Sequence, residues 1–223
     1  MNVQITHNSR PSLFWSGIVM FGGAFFLLSA ALIENQLHDF DRYFTQKIQS
    51  WRTPFWTTIM STVTFLGSGI TRIIFFLGTT FILVRRKLTQ ENILLFLAFV
   101  MGPLLTGFLK NLFERPRPSE NALLLLNSYS FPSGHALCSL LFFGMMGYCF
   151  TKIVTQNWQK ITILLLSVVL SIAIGVSRVY LGVHYPSDVI AGFAASSVVL
   201  IFLLRSYFYQ PTSAYTIVRK FHT

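Results

Sequence analysis

Residues 131–154 read FPSGHALCSLLFFGMMGYCFTKIV: a short polar turn, Phe131-Pro132-Ser133-Gly134-His135, opens directly onto an apolar run over 136–154. A run of that length suits one membrane-spanning helix, which takes about 20 residues. A histidine at the head of such a run is expensive in lipid and marks a functional position by default. The same construction recurs on either side. Downstream, the apolar run 161–181 leads into Ser177-Arg178, five residues, His184, three residues and Asp188, before a further run over 189–207. Upstream, the run 93–113 carries Lys110, six residues, then Arg117-Pro118.

Two more apolar stretches, 13–33 and 70–84, bring the expectation to six spanning helices in an all-α, polytopic membrane protein. The stretch 70–84 is short alone and reads as starting earlier, near Phe55. The run 13–33 is longer than a signal-peptide core and reads as a retained first helix. The last run is rich in small residues (Ala191, Gly192, Ala194, Ala195), which favours close helix packing. No repeat or linker divides residues 1–223, so a single domain is expected.

Composition agrees. The 223 residues are 53% hydrophobic and only 11% charged, with a mean hydropathy of +0.59, against about 25% charged in soluble domains. The net charge of +10 comes from cations scattered between apolar runs. That distribution points to a bilayer and an anionic lipid as partners and away from nucleic acid. Cys138 and Cys149 would share a helix face about 16 Å apart, out of disulfide reach, and read as packing residues.

With the N-terminus cytoplasmic, lysines and arginines fall almost evenly on the two sides. Setting aside Lys110, Arg117 and Arg178 leaves a modest inside bias, and Arg85-Arg86-Lys87 is its strongest anchor. Six spans place both termini in the cytoplasm and all three polar islands at the outer face of the plasma membrane. Between the first two spans, Leu37, Phe40, Phe44, Ile48 and Trp51 recur at helical spacing among polar residues. This predicts an amphipathic helix, either lying in the outer interface or partly buried against the protein.

The residue types in the islands suit phosphate chemistry. Arginine offers planar, permanently charged donors and lysine a compact charge, which gives Lys110, Arg117 and Arg178 as anion ligands. Ser133 and Gly134 just before a helix add backbone N–H groups at a positive dipole end. Ser133 also suits an N-cap, and both roles hold together. An imidazole attacks phosphorus when a carboxylate fixes its other nitrogen. Asp188, one helical turn from His184, assigns His184 as nucleophile and leaves His135 as general acid and base. His135, His184 and Asp188 as ligands of a metal is the competing reading. The adjoining cations would repel a dication, so no metal and no cofactor are expected.

The set Lys110, Arg117-Pro118; Pro132-Ser133-Gly134-His135; Ser177-Arg178, His184, Asp188 resembles the three-part signature of the type 2 phosphatidic acid phosphatase (PAP2) superfamily, with every position present at the family's internal spacing. The resemblance implies a metal-independent integral membrane phosphatase with a phosphohistidine at His184 and phosphate contacts from Lys110, Arg117, Ser133, Gly134 and Arg178. The small size resembles bacterial members that act on phosphatidylglycerol phosphate or undecaprenyl diphosphate, with phosphatidate a further option. Soluble vanadate-dependent haloperoxidases share the cradle but are not polytopic. A protein that binds or transports lipid phosphate without turnover is the alternative from another class. Against it stands the histidine pair, which binding alone does not need. Phosphotransfer to an acceptor other than water shares the same intermediate. The sequence carries no mark of an oligomeric state.

Overall fold

The computed structural model describes residues 11–118 and 121–208. Among them lie eight helices and no strand: α1 (Pro11–Ile33), α2 (His38–Gln49), α3 (Pro54–Leu66), α4 (Gly69–Arg85), α5 (Thr89–Phe113), α6 (Gly134–Thr151), α7 (Asn157–Tyr180) and α8 (Pro186–Phe208). In lipid a spanning backbone must satisfy its own polar groups, which these apolar runs do as helices. α1, α5, α6, α7 and α8 are each long and apolar enough to cross a membrane, and the pair α3–α4 makes six if it counts as one broken span.

The second span therefore differs from a plain 70–84 helix. It starts at Pro54, close to the early start suspected near Phe55, and bends by 52° between α3 and α4. Thr53 caps α3 by accepting from Trp56 N at 3.2 Å, with Pro54 in the first turn. Gly67 ends α3, and Ser68 restarts the chain by accepting from Thr71 N at 3.2 Å. The break is tightly packed. A Cβ built on Gly67 would lie 2.6 Å from Ile174 Cγ2 and 3.0 Å from His135 Cδ2.

α6 is the central helix, enclosed by α5, α7 and α8, while α1 packs on α8 at the periphery. Leu137, Leu141, Phe142, Phe143 and Met145 of α6 are fully buried. By contrast Phe26, Leu27, Phe81, Leu165 and Leu166 on the outer helices are exposed, forming the apolar surface a bilayer would cover. The small residues of α8 work as expected. A Cβ on Gly192 would come within 2.8 Å of Ser133 O, so α8 lies directly on the start of α6. Cys138 and Cys149 are both free and buried.

α2 forms where the amphipathic pattern placed it, and it docks on α7 and α8. The expected apolar stripe divides. Leu37, just before the helix, is buried and Ile48 packs against Val179 and Tyr180, whereas Phe40 and Phe44 remain 38% exposed with ring centroids 4.8 Å apart. Just beyond α2, Arg52 grips the end of α7. Its Nε and Nη2 donate to Tyr180 O at 3.0 and 2.6 Å, and its Nη1 donates to Asn121 O at 2.8 Å.

Candidate active site

α7 ends at Tyr180, and the chain turns through residues 181–185 into α8. Gly182 makes that turn with φ +76, and a Cβ there would meet Asn121 O at 2.9 Å. His184 thus sits on the turn and Asp188 in the first turn of α8, at i+4, where Nδ1 and Oδ2 are 3.4 Å apart. Both are buried, at 2% and 0% exposure. Burial is the main cause that pushes the imidazole down to about 4, reinforced by Arg117 and Arg178 and opposed by Asp188. The ring is neutral around pH 7. With the proton on Nδ1 facing Asp188, the lone pair lies on Nε2, which points at Arg117 Nη1, 3.3 Å away.

Asp188 is itself held on every side. Arg115 Nη1 donates to Oδ1 at 2.6 Å, and Tyr185 N donates to Oδ2 at 2.9 Å. Ser130 Oγ also donates to Oδ2 and lies 3.4 Å from His184 Nδ1. The other arm of Arg115 donates through Nη2 to Asp41 Oδ2 at 2.7 Å, and its guanidinium lies over the Tyr185 ring at 4.0 Å. Asp41, 2% exposed on α2, also accepts from Ser187 N at 2.9 Å and Ser187 Oγ at 2.7 Å. Although burial pulls the Arg115 guanidinium down, Asp188 and Asp41 together raise it above its ordinary value. Asp41, Arg115 and Asp188 form an alternating chain of charges behind the imidazole.

The three cations expected to bind phosphate come together. Lys110, at the end of α5, lies in the fields of Arg117, Asp188 and Arg178, and its Nζ donates to Tyr129 O. Arg117 donates to Val183 O and Ser128 O, each at 2.6 Å, and to Ser128 Oγ at 2.9 Å, folding its loop back over the histidine turn. Arg178 is 3% exposed and donates through Nη1 to Thr64 Oγ1 at 2.7 Å. His135 opens α6 within range of Arg178, His184, Arg72 and Arg117. The islands thus meet at one end of the bundle.

Ser133 and Gly134 have structural duties there as well. Ser133 Oγ accepts from Ala136 N at 3.5 Å as the cap of α6, and Ser133 N donates to Asp188 O at 2.9 Å. A Cβ on Gly134 would stand 2.9 Å from Thr106 Cγ2, so the α5–α6 approach already requires glycine. Among the described residues, no group of three or more His, Cys, Asp or Glu is placed to hold a metal ion.

Four residues of the site escaped sequence reading: Asp41, Arg115, Ser130 and Arg72. For Asp41 a signal existed, since its spacing from Leu37 and Ile48 puts a carboxylate on the buried side of an amphipathic helix. Arg115 was hidden beside the signature arginine Arg117 in the same loop. Ser130 and Arg72 carry no local mark.

Comparison with known proteins places the chain in a family and fold. The family model described as the PAP2 superfamily matches residues 91–211. Phosphatidylglycerophosphatase B of Bacillus subtilis is 30% identical over 186 residues, 82% of this chain and 90% of that protein. An undecaprenyl-diphosphatase of Sulfolobus acidocaldarius is 31% identical over 125 residues, 53% of this chain and 56% of that protein. The crystal structure of a transmembrane PAP2-type phosphatidylglycerolphosphate phosphatase from Bacillus subtilis superposes with a TM-score of 0.82 at 26% identity, covering 87% of this chain and 98% of that one. LpxE of Aquifex aeolicus superposes with a TM-score of 0.59 at 26% identity, covering 73% and 93%.

Proposed function

The chain belongs to the PAP2 superfamily as a multi-pass membrane phosphatase, and from that premise we propose that it hydrolyses a lipid phosphate through a phosphohistidine at His184, without a metal or other cofactor. The observation that carries this reading is the orientation of His184. Its Nδ1 faces a carboxylate locked by Arg115, Ser130 and Tyr185 N, and its Nε2 faces the cation cluster.

The steps follow from those positions. Lys110, Arg117 and Arg178 bind the phosphoryl oxygens, with the Gly134 N–H at the head of α6 beside them, while the Ser133 N–H is already given to Asp188 O. His184 Nε2 forms a bond to phosphorus while the bond to the lipid oxygen breaks, and Asp188 stabilises the charge left on the ring. His135 gives a proton to the departing oxygen. It then takes one from the water that cleaves the N–P bond, releasing phosphate and restoring His184.

The proposed site faces the outside of the cell membrane, with both termini cytoplasmic, supported by the cationic run Arg85-Arg86-Lys87 at the end of α4. Phosphatidylglycerol phosphate, phosphatidate and undecaprenyl diphosphate make up the substrate panel. Purified wild-type protein is expected to release phosphate from at least one of them in the presence of a chelator, and His184→Ala from none. Full activity in that variant would refute the nucleophile, and loss of wild-type turnover with chelator would refute metal independence. Wild-type protein that binds these lipids without releasing phosphate would make it a binding or transport protein.

A further inference from the structure

The nucleophile side of the site is supplied with carboxylates, since Arg115 behind His184 lies between Asp188 and Asp41. The other side, around His135, is not. Arg72 stands in the first turn of α4, midway along the bent span, with its guanidinium against the Cys138 thiol and within range of His135. Its Nε is buried and has no hydrogen-bond partner. Arg178 Nε and Ser139 Oγ, from residues 3% and 0% exposed, are in the same condition.

These atoms surround one histidine. Cys138 and Ser139 follow His135 by about one turn of α6. The Ser139 hydroxyl and the His135 ring both lie against Gly67, at 3.1 and 3.0 Å from the position of a Cβ there. Among the described residues, the carboxylate partners of arginine belong to Arg115, and neither Arg72 nor Arg178 has one. Two guanidiniums without a counter-ion are costly between apolar helices. With a buried hydroxyl on the same face of α6 as His135, they are complementary to an oxyanion lying next to that histidine.

The chemistry of departure says which oxyanion. When a phosphate monoester is cleaved, the leaving alkoxide takes a proton from His135 and departs neutral, so it gives a second cation nothing to hold. When a diphosphate is cleaved, His184 Nε2 bonds to the terminal phosphorus and the bond from that phosphorus to the bridging oxygen breaks. The electron pair stays on the bridging oxygen, which becomes a terminal oxygen of the lipid monophosphate. The departing phosphoryl group therefore gains negative charge on the His135 side. We propose that Arg72 is a further substrate-binding residue that holds this second phosphoryl group, with the Ser139 hydroxyl beside it, and so selects lipid diphosphates over monoesters. This selection rests on the hydrolytic reading above, whereas binding of a diphosphate at Arg72 can be read without turnover.

The test uses the full chain in detergent, with methylenediphosphonate as an uncleavable diphosphate and orthophosphate as reference, both measured by calorimetry. Wild-type protein is expected to bind the diphosphonate about tenfold more tightly than phosphate, the worth of one charged hydrogen-bonded contact. Arg72→Gln should erase that preference with phosphate affinity unchanged within about threefold, and Arg72→Lys should keep part of it. Equal wild-type affinity for the two anions would overturn the proposal, as would a preference that survives in Arg72→Gln or a parallel loss of both anions. If the Gln variant does not fold, the wild-type comparison and the Lys variant decide. Wild-type protein that binds the diphosphonate through Arg72 yet cleaves no lipid phosphate would refute hydrolysis and leave the subsite standing.

Discussion

Arg115 Nη1 and Asp188 Oδ1 are joined by a 2.6 Å hydrogen bond with Asp188 fully buried, and the second arm of the same guanidinium reaches Asp41 on a different helix. The carboxylate that orients His184 is therefore fixed through a planar two-armed donor. Lysine, a point charge, does not reproduce that geometry.

Removing Asp41 should weaken the reaction more than substrate binding. Asp41→Asn is expected to lower kcat by about 10- to 100-fold with little change in KM, the scale found when the outer partners of metal-bound histidines are removed. Arg115→Lys should behave similarly. Steady-state kinetics check this, and a raised KM at unchanged kcat would assign the pair to substrate binding instead.

Acid should inactivate the enzyme later than an ordinary histidine would. An unperturbed imidazole titrates near 6.5, but burial holds that of His184 at about 4. It stays an unprotonated nucleophile down to that pH, so the acid limb of kcat/KM is expected near pH 4. The sign for stability follows. Between about 6.5 and the folded value the unfolded chain binds a proton that the folded chain does not, so stability rises with pH across that window and is complete above it. Arg117→Gln removes a cation that depresses the ring and should move the limb upward. A wild-type limb at 6.5 with a substrate whose phosphate does not titrate there would contradict the lowered value for His184.

Gly67→Ala places a methyl group where Ile174 and His135 already stand, at 2.6 and 3.0 Å. Overpacking of this kind costs about 1–3 kcal/mol. The variant should melt at a lower temperature and lose kcat, because the α3–α4 break and the His135 ring cannot both keep their places. Gly78, inside α4 where a Cβ meets nothing within 4 Å, is the control, and Gly78→Ala should lower neither the melting temperature nor kcat.

What the sequence revealed and what it hid divide along a physical line. The apolar runs report their helices because each is surrounded by lipid or by other apolar helices along its length, as α6 is by α5, α7 and α8. The residues that bear on phosphate sit at helix ends, where a charge among apolar residues is conspicuous. Asp41 and Ser187 meet across a separation of 146 positions, and no local pattern encodes such a pairing. The α3–α4 break was half visible. Pro54 announced the start, but the need for glycine at 67 comes from Ile174 and His135, distant in sequence, which fill the space a side chain would take.

Orientation can be read by labelling. Cys138 and Cys149 are buried, so they add little background to an impermeant maleimide. Leu125→Cys, at a position 91% exposed in the loop before α6, is expected to react in intact cells. Lys87→Cys, in the turn after α4, should react only after the membrane is opened. The reverse pattern would put the phosphate site inside.

Asp41 secures the first amide of α8 and Arg52 the last carbonyl of α7, so two supports of the histidine turn come from the connector between α1 and α3. Thr64 and Arg72 also lie ahead of residue 91, where the family match begins. A transplant of residues 91–211 into another helical scaffold would carry every signature residue and still lack the parts that hold them at working distance. The recognisable segment is thus not a portable module, and a chimaera would regain activity only if the foreign scaffold returned a carboxylate to Arg115 and a donor to Tyr180 O.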